Sequence, residues 1–327
     1  MINANKGSKK YSGILIKIAV LAFAGWYIYQ QLSDPKNLLK FETLIAGIDP
    51  HYFWLTFSLI VFLMFVNWML EVVKWQYLAI RIERISFGRA FQSVFSGLTW
   101  AIFTPNRIGE YGGRVLFLKP ENRAKGAIAM GVGLFAQLVL TSIAGALSIA
   151  WFACTYMDTP VSIEFGIWLL AILYATGFLV LYFNVHWIDL LVGRIKFLER
   201  IKPFFSILEE YTFKELLVVI LISLARFIIF TSQYIILMLV ILPELPFVAM
   251  ILMIFILFFV QAALPTLDIF DFSVRSFVAG NLYSYITNQE LAVMAIVSCI
   301  WFVNLILPAV LGSIFVLKIN FFGDSKS

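Results

Sequence analysis

Charged side chains stand in this chain where their neighbours are almost all apolar, and their types and spacing suit the holding of a phosphate group. The segment NRIGEYGGRVLFL (106 to 118) brings Arg107, Glu110 and Arg114 together with Gly109, Gly112 and Gly113. Guanidinium forks match phosphate oxygens in pairs, and the free amides at the start of a half-helix attract an anion. The three glycines are expected to break the helix and allow close backbone approach. Glu110 suits the orienting of an arginine or contact with a cationic head group. The bland alternative is a tight loop whose charges neutralise one another.

Arg226 sits in the middle of an apolar run with Gln233 and Tyr234 two turns on. It suits a water-filled groove, or else a clamp onto backbone carbonyls or a carboxylate from another helix. The segment TLDIFDFSVRSFVAGNLY (266 to 283) offers a second mixed cluster, Asp268, Asp271 and Arg275, without glycines between Pro265 and Arg275. Asn67, Glu71 and Lys74 are spaced to share one helical face, so Glu71 can pair with Lys74, or Lys74 can snorkel to the interface. The expected phosphate-binding set is therefore Arg107, Arg114, Arg226 and Arg275. Glu71, Lys74, Glu110 and Asp271 are expected to balance charge or carry a proton.

These residues need a scaffold, and composition says which kind. Of 327 residues 62% are hydrophobic and only 13% charged, far from the balance of a water-soluble domain. The solvent is lipid. Apolar runs at 13 to 32, 52 to 78, 87 to 104, 124 to 153, 165 to 185, 213 to 241, 247 to 264 and 289 to 317 are too long and uniform for barrel strands, so an all-α polytopic membrane protein of about eight helices is expected. Trp26, Tyr27 and Tyr29 stand where a signal peptide would need small residues, so the first run reads as an uncleaved helix. Cys154 and Cys299 lie in separate apolar runs and His51 and His186 far apart, which supports neither a disulfide framework nor a metal site. No nucleophile–base pair, P-loop or dinucleotide fingerprint is present, so no catalytic residue and no cofactor is expected. The net charge of +5, with no Lys/Arg tract, suits a membrane face better than nucleic acid.

Pro105 and Pro265 each end an apolar run ahead of a charged stub too short or too polar to span, so both stubs read as re-entrant half-helices. With both termini cytoplasmic, this topology leaves only Lys36, Lys40 and Arg275 outside and Arg226 in mid-membrane, with every other basic residue cytoplasmic. The order of elements in 52 to 153 recurs in 213 to 317 with opposite orientation, an inverted repeat within a single transmembrane domain, which places a substrate site near the midplane. Residues 186 to 211 join the halves and carry apolar residues at helical spacing between basic ones, as expected of an amphipathic helix lying on the cytoplasmic face or of a partner-docking surface. Asn304 and Pro308 are expected to bend the last helix, line a cavity or simply pack.

TPNRIGEYGGRVLFL (104 to 118), NWMLEVVKWQYL (67 to 78), SLARFIIFTSQY (223 to 234) and LPTLDIFDFSVRSFV (264 to 278) together resemble the lysylphosphatidylglycerol synthase transmembrane family, which includes the flippase half of the bacterial multiple peptide resistance factor. Pro105, Arg107, Gly109 and Glu110 carry the most specific part of the likeness. The resemblance implies a multi-pass inner (plasma) membrane protein that moves or binds a phospholipid or polyprenyl-phosphate lipid. The chain ends at Ser327 soon after its last apolar run, so aminoacyl transfer is not expected. A lipid flippase-like transporter is the leading expectation. The alternatives are a scaffold or accessory subunit that recruits a lipid-modifying enzyme, and a membrane transferase; a homo-oligomer is compatible with either use.

Overall fold

The computed structural model describes residues 35–102, 104, 107–188, 202–264 and 271–316. The expected first helix at 13 to 32, Pro105, Pro265 and Asp268 lie outside them. All the regular structure described is helical, as a chain in lipid requires, because a helix satisfies its backbone polar groups within itself. The chain is a polytopic α-helical membrane protein.

A short helix that the apolar runs do not announce, α1 (Pro35–Ala46), precedes α2 (Pro50–Ala79), which starts on Pro50 with the Asp49 carboxylate accepting from the His51 amide at 2.7 Å. Then come α3 (Phe87–Ile102), α4 (Ile108–Val115), α5 (Arg123–Tyr156) after a 3-10 turn at Pro120–Asn122, and α6 (Val161–Phe183). A reciprocal Thr212–Glu215 capping box opens α7 (Phe213–Ile241). The chain continues through α8 (Phe247–Ala263), α9 (Asp271–Tyr283) and α10 (Glu290–Val316). Among the described residues four segments, Pro50–Ala79, Pro120–Tyr156, Val161–Phe183 and Glu290–Val316, are long and apolar enough to cross a membrane. α7, at 29 residues, also has the length, with Arg226 in mid-course.

α2 and α7 lie side by side and antiparallel. The Tyr211 hydroxyl donates to Leu78 O at 3.0 Å beside one end of the pair, and Gln233 Nε2 donates to Ile60 O at 3.1 Å toward the other. α3 and α4 form a hairpin whose base lies at the Leu78 end. There Glu83, just before α3, accepts from the Lys119 amide at 2.9 Å and from Asn122 Nδ2 at 3.1 Å, just after α4. Burial works against the ionised form of Glu83, but these hydrogen bonds and the Arg89 and Lys119 charges outweigh it and hold its carboxyl below the usual range. α8 and α9 form a second hairpin, with Tyr283 donating to Met250 O at 2.8 Å near its base and Arg275 Nη1 to Gln261 Oε1 at 2.7 Å near its tip. Its base comes after Ile241, so the two hairpins enter the bundle from opposite ends.

One expectation is corrected. Gly109, Gly112 and Gly113 do not break a helix; all three lie inside α4. Gly109 and Gly113 serve close packing on α3: a Cβ on Gly113 would stand 2.6 Å from Gly97 Cα, and one on Gly109 2.3 Å from Trp100 O. The turn itself falls at Arg107, whose φ of 57° is the left-handed conformation. In the segment 186 to 211, residues 189–201 lie outside those described. The expected amphipathic helix falls largely on those residues; after them the chain makes a helical turn at Lys202–Phe205 and a 3-10 turn at Ser206–Glu210, with Ile207 and Leu208 buried.

Candidate functional site

The charges of α2, α4 and α7 that stand out in the sequence meet in one network. Glu71 is its centre: Oε1 accepts from Arg114 Nη1 at 2.6 Å, and Oε2 accepts from Lys74 Nζ at 2.8 Å and from Arg226 Nη1. Arg114 carries the network on to Glu110 Oε1, and Glu110 Oε2 accepts from Arg107 Nε at 2.9 Å. A carboxylate has lone pairs for several donors, so two acids hold four cations here.

Burial is severe. Glu71 is 3% exposed, and Lys74 and Arg114 are each 1% exposed. Lys74 therefore does not snorkel; its ammonium pairs with Glu71 and donates to Gly133 O at 3.3 Å. Arg114 is sealed between Glu71 and Glu110, and its backbone carbonyl accepts from Ser93 Oγ at 3.0 Å. Arg226 clamps Glu71, while its Nε reaches Asn67 O at 3.2 Å and Asn67 Oδ1 at 3.1 Å, and it also lines a cavity. Its guanidinium lies 5.3 Å from the centre of the Trp68 ring, a cation–π distance.

The cavity, about 320 Å³, lies where the two hairpin tips approach the middle of α2 and α7. Arg107 comes from the tip of the first hairpin, Gln261 and Arg275 from the second, Arg226 and Asn67 from the paired helices, Gln137 and Thr141 from α5, and Trp301 and Asn304 from α10. Trp68, Phe227, Phe230 and Phe258 give it an aromatic side. Three of the four expected phosphate-binding arginines thus share one cavity wall; Arg114 is not on it and instead fixes Glu71 and Glu110 behind it. Asp271 begins α9, four residues before Arg275.

α10 owes its part in the site to Pro308. Proline has no N–H, so the carbonyl four residues earlier, that of Asn304, loses its helical donor. The helix widens into a π turn at Phe302–Ile306, and Trp68 Nε1 donates to Asn304 O at 3.1 Å instead. Asn304 Nδ2 donates to Gln233 Oε1 at 2.7 Å and to Ile300 O at 3.0 Å. Sequence reasoning did not single out Gln137, Thr141, Gln261, Trp68 or Trp301 for the site. An amide deep in an apolar run is the one signal that could have raised Gln137 and Gln261. Among the described residues no group of His, Cys, Asp or Glu is arranged to hold a metal ion.

Compared with known proteins, residues 14–312 match the model of one family, described as the lysylphosphatidylglycerol synthase TM region. No curated protein and no solved structure shows a significant match.

Proposed function

The chain belongs to the lysylphosphatidylglycerol synthase TM region family, and we propose from that premise that it is a flippase-like transporter of lipids with a phosphate-bearing head group. The observation that carries the proposal is the cavity in which Arg107, Arg226 and Arg275 converge from three separate elements. Guanidiniums at membrane depth are expensive unless they meet a partner or a polar space, and a phosphate is the anion their forks fit best. The head group would occupy the cavity while the acyl or prenyl chains remain in the bilayer. The site reads as one that binds and moves its ligand rather than one that reacts with it.

The arrangement of the hairpins supports the same reading. In it, α3–α4 and α8–α9 are re-entrant, one from the cytoplasmic and one from the outer side of the inner membrane, and 52 to 153 and 213 to 317 are inverted repeats. Their packing is reciprocal: α2 lies against α7, α3 against α10, and α5 against α8. Inverted repeats let either face open by similar movements around one fixed site. The basic-residue asymmetry then puts both termini in the cytoplasm.

The test is reconstitution of the purified chain into liposomes carrying a fluorescent phosphatidylglycerol, with dithionite quenching to read movement between leaflets. Movement is expected for the wild type and is expected to be lost in Arg226→Gln and Arg275→Gln variants that still insert. Wild-type rates in both variants, or none in the wild type above empty liposomes, would overturn the proposal.

A further inference from the structure

The arginines account for a phosphate, yet the cavity wall offers more than a phosphate needs. Asn304 Oδ1, Gln137 Oε1, Gln261 Nε2 and Trp301 Nε1 are buried and have no hydrogen-bond partner, and all four residues line the cavity. The orientation of two of these amides is fixed by their other bonds. Asn304 Nδ2 is engaged with Gln233 and Ile300, which leaves its oxygen as the free acceptor. Gln261 Oε1 is engaged with Arg275, which leaves its nitrogen as the free donor. Asn304 is only 7% exposed. Buried polar atoms without partners are few in folded proteins and each calls for an explanation.

Acceptors and donors left open on one wall describe the complement of a hydroxyl, which can donate and accept at once. A quaternary ammonium satisfies none of them, and a bare alkyl ester would leave them unpaired. Trp68 and Trp301 also line the cavity, and their indole surface adds apolar area that suits the C–H groups of a polyol.

We propose that Asn304, Gln137, Gln261 and Trp301 form a hydroxyl-reading subsite, and that the ligand is a lipid phosphate whose head group carries several hydroxyls, glycerol or a sugar. This rests on the phosphate reading of the same cavity and adds to it which head group is selected. The subsite discriminates because an analogue lacking hydroxyls leaves the wall unsatisfied.

The experiment is native mass spectrometry of the full chain in detergent with charge-matched lipid pairs. Phosphatidylglycerol is set against phosphatidylpropanol, and a hexosyl phosphoprenol against its ethyl phosphoprenol analogue; each pair differs in hydroxyls and not in charge. The wild type is expected to prefer the hydroxylated member of one pair by about tenfold or more, and the pair that discriminates identifies glycerol or sugar as the source. Trp301→Phe and Gln137→Met remove polar atoms that hold nothing within the protein, so both variants should fold. Each is expected to cut the preference about threefold to tenfold, with the larger loss of affinity falling on the hydroxylated member of the pair. Equal binding within both pairs, or a preference untouched in both variants, overturns the subsite. If binding is strong and lost in Arg226→Gln but blind to hydroxyls, only this inference falls. If no lipid of either pair binds, the phosphate reading falls with it.

Discussion

Glu71 should be the side chain whose loss the fold tolerates least, and the structure gives the reason and the scale. Its carboxylate faces Lys74, Arg114 and Arg226 at once, and among the described residues Glu110 is the only other carboxylate in the network. At an effective dielectric of 20, a pair of charges about 4 Å apart attracts by about 4 kcal/mol, so three such pairs give roughly 12 kcal/mol of gross attraction, most of it offset by desolvation. Glu71→Gln keeps the shape and removes the charge, leaving three cations turned toward one another, two of which, Lys74 and Arg114, are sealed from water. Breaking a buried ion pair from one side typically costs about 3 to 5 kcal/mol, and Glu71→Gln should fall at or above that range. Lys74→Met is the contrasting case. It removes a cation from a network in which cations outnumber carboxylates, and its aliphatic stem is replaced by a similar one, so its cost should be about 2 kcal/mol or less. Unfolding titrations with sodium dodecyl sulfate in mixed micelles would measure both, and the double variant Glu71→Gln, Lys74→Met should be more stable than Glu71→Gln alone. Equal losses in the two single variants, or a double variant worse than Glu71→Gln, would refute the assignment of Glu71 as the centre of the network.

Two further outcomes are expected from packing and hydrogen bonding. Gly113→Ala puts a Cβ against the backbone of Gly97 and should cost about 1 to 3 kcal/mol, whereas Gly112→Ala, with nothing within 4 Å, should be neutral or gain up to about 1 kcal/mol; the same titration ranks them. Trp68→Phe removes the donor to Asn304 O and should cost about 1 to 3 kcal/mol, and adding Pro308→Ala, which restores a backbone N–H to that carbonyl, should recover part of the loss in a double-variant cycle.

How legible each residue was in the sequence depends on how conspicuous it is in an apolar background. Glu71, Arg107, Glu110, Arg114, Arg226 and Arg275 stand out because a charge at membrane depth demands a reason, and each of them belongs to the network or to the cavity wall. The long-range pairings were not legible: Arg226 meets Glu71 across 155 residues and Arg114 meets it across 43, and only the packing of α4 and α7 on α2 decides that all three share one carboxylate. Nor was the removal of Arg114 from the cavity wall, since its spacing is as suited to a phosphate as that of Arg107. The neutral members of the wall were silent for a different reason. Gln137, Gln261 and Trp301 break no rule where they stand, and they become informative only when their partners can be counted. The glycines of α4 misled because glycine serves a turn and a close helix contact equally well, and only the positions of Gly97 and Trp100 choose between them.

Arg226 joins the ion network to the cavity. It belongs to the contacts that tie α7 to α2, through Glu71 and Asn67, and it also lies on the cavity wall. On the proposed reading, a phosphate in the cavity competes with Glu71 and Asn67 for the same guanidinium, so binding the head group loosens a contact between helices that support opposite hairpins. The remaining cations keep Glu71 satisfied while this happens, because Lys74 and Arg114 still donate to it. A network with more donors than the carboxylate needs can release one without exposing a bare charge. A single buried pair could not, since freeing its arginine would leave the carboxylate unpaired. On the proposed reading, the excess of cations around Glu71 is what would let one side chain serve the packing of the bundle and the holding of a ligand in turn, and a transporter needs its ligand and its helix packing coupled through some such shared group.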